Sequence, residues 1–193
     1  MEVRLLNEQE IKHAAELSRF VFDNCLRPRM EFPQTVAFVE GYLAESNLRA
    51  MKAEGKLFLW GAFVNEKLIG VGGMQNDGLI TMLYVIPQYF KRKYGTTLLE
   101  TMRLYAKEDL GLLQVSVNAT PAWTSYYFSK QGFRKVNASS NLQVPFVSMY
   151  TLSERLQFFR KKYVSWKVII AAIVACVLFA TILGCGFMMW YLF

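Results

Sequence analysis

The sequence predicts a layered α/β (α+β) domain, a mixed and mainly antiparallel sheet flanked by helices, plus one C-terminal transmembrane helix. Three observations carry that expectation. Apolar stripes at helical spacing alternate with short apolar runs of strand length. The middle runs are separated by turn residues few enough for hairpins. Finally, residues 168–193 contain no Asp, Glu, Lys, Arg or His, so the formal charge of +7 belongs wholly to residues 1–167. With 53 % apolar residues the chain has a core to bury, which excludes a disordered or collagenous protein.

The elements follow in order. From Asn7, the positions Ile11, Ala14, Ala15, Leu17, Ser18 and Val21 form one stripe of an amphipathic helix that ends before Pro28. A second helical stretch runs from about Pro33 to Lys52, with Val36, Val39, Leu43 and Leu48 apolar and Gly55 as its stop. Leu57–Val64, Leu68–Met74 and Leu79–Val85 read as three strands of an antiparallel meander, turned at Asn65-Glu66-Lys67 and Asn76-Asp77-Gly78. Pro87 closes the third strand. A helix spans Gly95 to about Asp109, with Leu98, Leu99, Met102 and Tyr105 inward and Gly111 as cap. Leu112–Val117 is a strand, Trp123–Gln131 a short helix and Gly132 its break. Phe133–Val136 and Val144–Leu152 are late strands joined by the polar turn Asn137–Asn141. The predicted order is α-α-β-β-β-α-β-α-β-β.

The tail is an apolar run of 26 residues, Val168 to Phe193. As a helix it would span roughly 39 Å, more than the ~30 Å hydrocarbon core of a bilayer. Arg155, Arg160, Lys161, Lys162 and Lys167 precede it, so the positive-inside tendency predicts a single-pass cell-membrane protein with its N-terminal domain cytoplasmic. Trp166, Trp190 and Tyr191 suit the two interfaces. The expected division is a domain at 1–155, a basic juxtamembrane segment at 156–167 and a membrane helix at 168–193, with the lipid membrane as partner. The small-residue pairs Ala171/Ala175 and Ala180/Gly184 would let two tails pack as a homodimer. The start Met1-Glu2-Val3-Arg4 lacks the basic-then-apolar run of a signal peptide.

Chemistry concentrates in one place. Cys25 is the single cysteine before the tail and His13 the single histidine, so no zinc-type ligand set is expected and no metal is predicted. Basic residues lack a recognition helix or aromatic platform, and no nucleic acid is expected. Strand, short basic loop and helix follow one another from Val85 to Leu99, setting Lys91, Arg92 and Lys93 beside the free N–H groups of a helix start. Those donors and the positive helix end favour a phosphate, and Thr96 and Thr97 can cap the helix or donate to it. Glu40 and Glu66 are candidate general bases in exposed positions.

From Leu79 to Phe133 the chain resembles the GNAT acyl-CoA N-acyltransferases, and the element order over residues 1–152 is similar to theirs. Val85 and Pro87 match the strand end, Gly95 the second glycine of the pyrophosphate motif, Leu98-Leu99 the apolar pair after it, and Asn118 and Gly132-Phe133 the later motif. The resemblance implies a GNAT-like mixed sheet and acetyl-CoA as cosubstrate. Leu83, Tyr84 and Val85 would hold the pantetheine arm as an added strand, and the backbone N–H groups of Lys91, Arg92, Lys93, Tyr94, Gly95 and Thr96 the pyrophosphate. Asn118 would face the cofactor where strand ends splay. An amine acceptor would arrive from the opposite side, bounded by the first two helices and the late strands.

Three positions depart from the family pattern. Lys93 stands for the first motif glycine, with Phe90 at the Gln/Arg position. Phe128 stands where the family's tyrosine protonates the leaving thiolate. Tyr127 and Tyr126, about 100° and 200° round the helix from it, are therefore the candidate catalytic residues. The expected function is acyl transfer from acetyl-CoA to a cytoplasmic amine by direct attack. The alternative is a catalytically weak or inactive, membrane-tethered CoA-binding protein.

Overall fold

The computed structural model describes residues 1–30, 32–136 and 147–152. A short strand that patterning does not reveal comes first. β1 (Glu2–Leu5) lies antiparallel on β2 (Leu57–Val64), pairing Glu2 with Phe63 and Leu5 with Trp60. Four residues with charges at alternate positions give little apolar signal; ladder hydrogen bonds and the Arg4 guanidinium, 4.2 Å from the Phe63 ring centre, hold the strand instead. Asn7 and Glu10 then form a reciprocal cap. The Asn7 side chain accepts from the N–H groups of Gln9 and Glu10, and the Glu10 carboxylate accepts from the Asn7 N–H at 2.9 Å. The cap starts α1 (Ile11–Val21), whose buried stripe is the predicted one.

The chain leaves α1 through a wider π turn at Phe22–Leu26 and a 3-10 turn at Arg27–Arg29. The second predicted helix is two helices, α2 (Pro33–Tyr42) and α3 (Glu45–Ala53), broken where Ala44 turns extended. Gly41, next to last in α2, is the one local signal near that break.

β2, β3 (Lys67–Gln75) and β4 (Leu79–Val85) form the expected meander, and β5 (Gln114–Ala119) pairs parallel with β4. The full order is β1-β2-β3-β4-β5-β7-β6, with β6 at Arg134–Lys135 and β7 at Val147–Leu152. The expected turn at Asn137–Asn141 lies outside the described residues.

Helices α1 and α3 cover one face. The other is covered by α4 (Tyr94–Glu108), with Leu98, Leu99 and Met102 buried in the same cluster as Phe128 of α5 (Ser125–Lys130). Gly70 and Gly72 of β3 make close packing of α4 feasible, because a β-carbon there would stand 3.2 Å from Leu98 and 3.1 Å from the Met102 sulfur. Register slips in the β3–β4 pair, where Gly73 faces Met82 but Met74 faces Ile80. Thr81 is the extra residue of this bulge. Ile80 packs on the α4 side. Met82, two residues on, packs on the α1 side with Tyr84, while Val85 returns to the α4 side. The Tyr42 hydroxyl lies 2.8 Å from Thr81 Oγ1 and holds the bulge to α2.

The expected transmembrane helix is corrected. Among the described residues no helix is long and apolar enough to cross a membrane, and the run 168–193 lies outside them. A spanning element needs a continuous apolar helix of about 20 residues. The longest described helix, α4, has 15 and carries charged side chains. An apolar composition supplies only one of those two requirements. The membrane helix, the lipid membrane as partner and the single-pass localisation are withdrawn with it, and the segment 156–167 lies outside the described residues. What stands is a mixed α/β fold with a largely antiparallel sheet and flanking helices.

Candidate active site

β4 and β5 are partners only at Leu79–Ser116 and Ile80–Val117. β5 then stays with β7 as far as Ala119, while β4 stays with β3 as far as Val85. The two parallel strands therefore part towards their C-terminal ends. From Thr81 onward the β5-facing edge of β4 has no strand partner among the described residues, so its N–H and C=O groups can receive an extended amide-bearing chain. Leu83, Tyr84 and Val85 lie along this edge. Their side chains are anchored away from it: Leu83 and Val85 pack on the α4 side, Tyr84 on the α1 side. Burial pushes the Tyr84 hydroxyl well above the ordinary tyrosine range, so it stays neutral.

Beyond Val85 a 3-10 turn at Pro87–Tyr89 leads into the basic loop. Lys91, Arg92 and Lys93 are exposed. Lys91 and Lys93 have φ of +60° and +67°, the left-handed region that glycine occupies most easily. Lys93 thus holds a left-handed conformation that a glycine would adopt freely, at a cost of about 1–2 kcal/mol. α4 starts at the next residue without a side-chain cap, and the Thr97 N–H is the first to bond back, to the Lys93 carbonyl at 2.9 Å. The N–H groups of Tyr94, Gly95 and Thr96 have no intrahelical acceptor. Thr97 Oγ1 bonds the Lys93 carbonyl, so it is turned back on the helix. Tyr94 packs edge-on against Tyr89 at 5.7 Å, bracing the loop.

α5 brings a hydroxyl to the same helix start. A β-carbon on Gly95 would sit 3.4 Å from the Tyr127 hydroxyl oxygen and 3.8 Å from Val85 Cγ2. That hydroxyl is buried and has no hydrogen-bond partner among the described residues. Thr96 comes near it without completing a hydrogen bond. Burial raises the Tyr127 pKa above its usual value, the Glu100 carboxylate adds to this, and the Thr96 side chain opposes it. Tyr127 is therefore a neutral donor across the physiological range.

The other two positions on α5 lie elsewhere. Phe128 is 7 % exposed and stacks edge-on with Tyr127 at 5.3 Å and Phe133 at 5.4 Å. Tyr126 is 70 % exposed, with the Lys130 ammonium 5.2 Å from its ring centre. Asn118 is exposed on β5, opposite Ser148 of β7. Glu40 is committed to an ion pair with Arg27 at 2.8 Å. Glu66 and His13 line a separate cavity of about 500 Å³ between α1 and the β2–β3 hairpin. Among the described residues no group of His, Cys, Asp or Glu is placed to hold a metal ion.

Sequence reasoning missed a second cavity, of about 260 Å³, lined by Arg29, Met30, Phe32, Thr35 and the segment Thr120–Trp123 that follows β5. The Arg29 guanidinium stands 5.4 Å from the Trp123 ring centre. The one local signal is Arg27-Pro28-Arg29, a basic stretch in the break between helices.

The family model of the GNAT acetyltransferase domain matches residues 27–151, most of the chain. No curated protein sequence matches it. Several solved structures do. PaiA N-acetyltransferase from Thermoplasma acidophilum, crystallised with coenzyme A, has a TM-score of 0.65 at 18 % identity, covering 78 % of this chain and 98 % of its own. A GCN5-related N-acetyltransferase from Rhodopseudomonas palustris gives 0.66 at 19 %, with 78 % and 94 % covered. A predicted acetyltransferase from Clostridium acetobutylicum, crystallised with acetyl-CoA, gives 0.58 at 18 %, with 74 % and 95 % covered. At these identities the likeness establishes a shared fold, and the family match adds the chemistry. The parted strands, the open strand edge and the uncapped helix start are thus those of a CoA-dependent acyltransferase, and the chain is an enzyme belonging to the GNAT acetyltransferase family.

Proposed function

We propose that residues 1–155 transfer an acetyl group from acetyl-CoA to an amine by direct attack, with Tyr127 protonating the leaving thiolate. The observation that carries this reading is the buried, unpartnered Tyr127 hydroxyl at the start of α4, beside the open end of β4. A buried hydroxyl without a partner is uncommon, and a ligand at the helix start would supply one. The thioester arm pairs with the edge at Leu83–Val85, and the pyrophosphate takes the N–H groups from Lys91 to Thr96. Lys91 and Arg92 add charge.

The neutral amine nitrogen attacks the thioester carbonyl carbon. The C–S bond breaks as the C–N bond forms, the sulfur leaves with the bonding pair and receives a proton from Tyr127, and the amine's surplus proton passes to water. Water then restores the Tyr127 proton. The net products are an amide and free CoA thiol. Most of the rate comes from holding the two reactants together, since a thiolate is a tolerable leaving group.

The test is thiol release from acetyl-CoA over a panel of amines, with Gly95→Glu as control. Release that needs both the amine and an intact loop supports the reading. Release without amine dependence, or undiminished in a folded Gly95→Glu protein, overturns it.

A further inference from the structure

Three features of the Arg29 cavity point one way. Arg27, two residues earlier, is matched by Glu40 and Asp23 at 2.8 and 3.2 Å. Arg29 makes no ion pair or hydrogen bond among the described residues; its one contact of note is the face of Trp123. Stacking orients the guanidinium and leaves its N–H donors unspent. Thr35 is 3 % exposed, yet its Oγ1 has no hydrogen-bond partner among the described residues. A hydroxyl buried that deeply is normally satisfied. Thr35 also belongs to the first turn of α2, whose ten residues begin at Pro33 without a side-chain cap, so the positive end of a helix abuts the cavity. No described lining residue is acidic. The remaining walls, Met30, Phe32 and Pro121, are apolar.

A cationic amine alone could use only the Thr35 hydroxyl, as an acceptor, because arginine repels it and the helix end disfavours it. An anionic oxygen satisfies all three at once. The cavity is also small, about 260 Å³, which suits a metabolite or the end of a chain rather than a folded surface.

Its position links it to the reaction. Thr120 and Pro121 directly follow Ala119, the last residue of β5, where that strand has parted from β4. The cavity therefore lies by the open end of the parted strands, on the side of the first helices. We infer that this cavity is the acceptor subsite, and that the acceptor is a small amine which also carries an anionic group, a carboxylate or a phosphate, read by Arg29 and the Thr35 hydroxyl. This rests on the acyl-transfer reading above for the amine, and on the cavity alone for the anion.

The test compares amines that differ only in the anion: phenylalanine against phenethylamine for the carboxylate, and O-phosphoethanolamine against ethanolamine for the phosphate. Thiol release from acetyl-CoA by the full chain should favour one anionic member by about tenfold or more in kcat/KM, since charge-assisted pairs to arginine are the strong ones. Arg29→Gln should bring that ratio towards unity, and Arg29→Lys should restore part of it. Thr35→Val should lower it several-fold. A wild-type ratio at or below unity for both pairs, or a ratio unmoved by Arg29→Gln, overturns the inference.

Binding provides the independent arm. Phenylalanine or O-phosphoethanolamine at millimolar concentration should raise the Tm of the natural protein and not that of Arg29→Gln. If no amine drives thiol release but this shift is seen, the acyl-transfer reading fails and the anion site survives. If release occurs but neither anionic ligand binds, the anion site fails and acyl transfer survives.

Discussion

The two sides of the parted strands are built from different materials. On the α4 side the donors are backbone N–H groups, and their geometry is set by the turn that Lys91 and Lys93 adopt at positive φ. On the α2 side the donors are side chains, Arg29 and Thr35, brought to Trp123 from about ninety residues away. A backbone site tolerates changes of side chain provided the chain path survives. That explains how a lysine occupies a glycine position in a loop that still presents a helix start. A side-chain site has no such tolerance, so specificity can drift on one side of the molecule while the cofactor side stays readable.

The strongest way to break this comparison is to attack the backbone site directly. Gly95→Glu should weaken binding of CoA thioesters by at least about tenfold, roughly 1.4 kcal/mol, while circular dichroism remains native. Calorimetry would measure it, and equal affinity would place the phosphates elsewhere.

Tyr127→Phe tests the one side chain proposed to act on the cofactor side. It should lower the single-turnover rate by about tenfold or more with little change in CoA affinity. The pH dependence has a definite sign. Because the folded protein holds the Tyr127 proton above the ordinary tyrosine pKa, activity should persist through pH 10 and fall only beyond it. That alkaline limb should vanish in Tyr127→Phe. The same shift means that the unfolded chain loses this proton first, so stability declines as pH rises past 10.

Phe128→Tyr should give no gain in rate. Its ring is enclosed by Tyr127 and Phe133, and a hydroxyl buried there without a partner costs about 1–3 kcal/mol of stability, measurable by urea denaturation. A tenfold gain would move the acid back to the family position.

Side-chain charge on the loop should matter less. Replacing Lys91, Arg92 and Lys93 by Gln should weaken CoA binding several-fold at low salt, with the difference shrinking as ionic strength rises. The smallest expected effect is that of Lys93→Gly. It relieves the left-handed strain but frees the unfolded chain, for a net gain of no more than about 1 kcal/mol in thermal stability. Affinity should hold, because the N–H groups remain.

Legibility in the sequence followed contiguity. The loop from Val85 to Leu99 is one stretch whose residues are neighbours in space as well as in sequence. The hairpin turns at Asn65–Lys67 and Asn76–Gly78 are likewise local. Arg29, Thr35 and Trp123 form a site only after β5 has crossed to the far side of β4, and no local pattern encodes that meeting. β1 was hidden because a strand held by ladder bonds and Arg4 needs no apolar alternation. Tyr127 was legible as a candidate, but its hydroxyl's place over Gly95 depends on how α5 docks.

The extra residue in β4 acts on the molecule like a parity bit. Up to Ile80, even-numbered positions face α4; after Thr81, odd-numbered ones do. Deleting Thr81 would leave every downstream face as it is, but taking Thr81 into the regular ladder, with no bulge, would invert everything downstream in the strand. Tyr84 would be driven towards the face where Gly70 and Gly72 leave room for Leu98 and Met102 alone, and Val85 would turn away from Gly95. A one-residue slip of register there would exchange the two walls of the enzyme without altering any residue named in its chemistry.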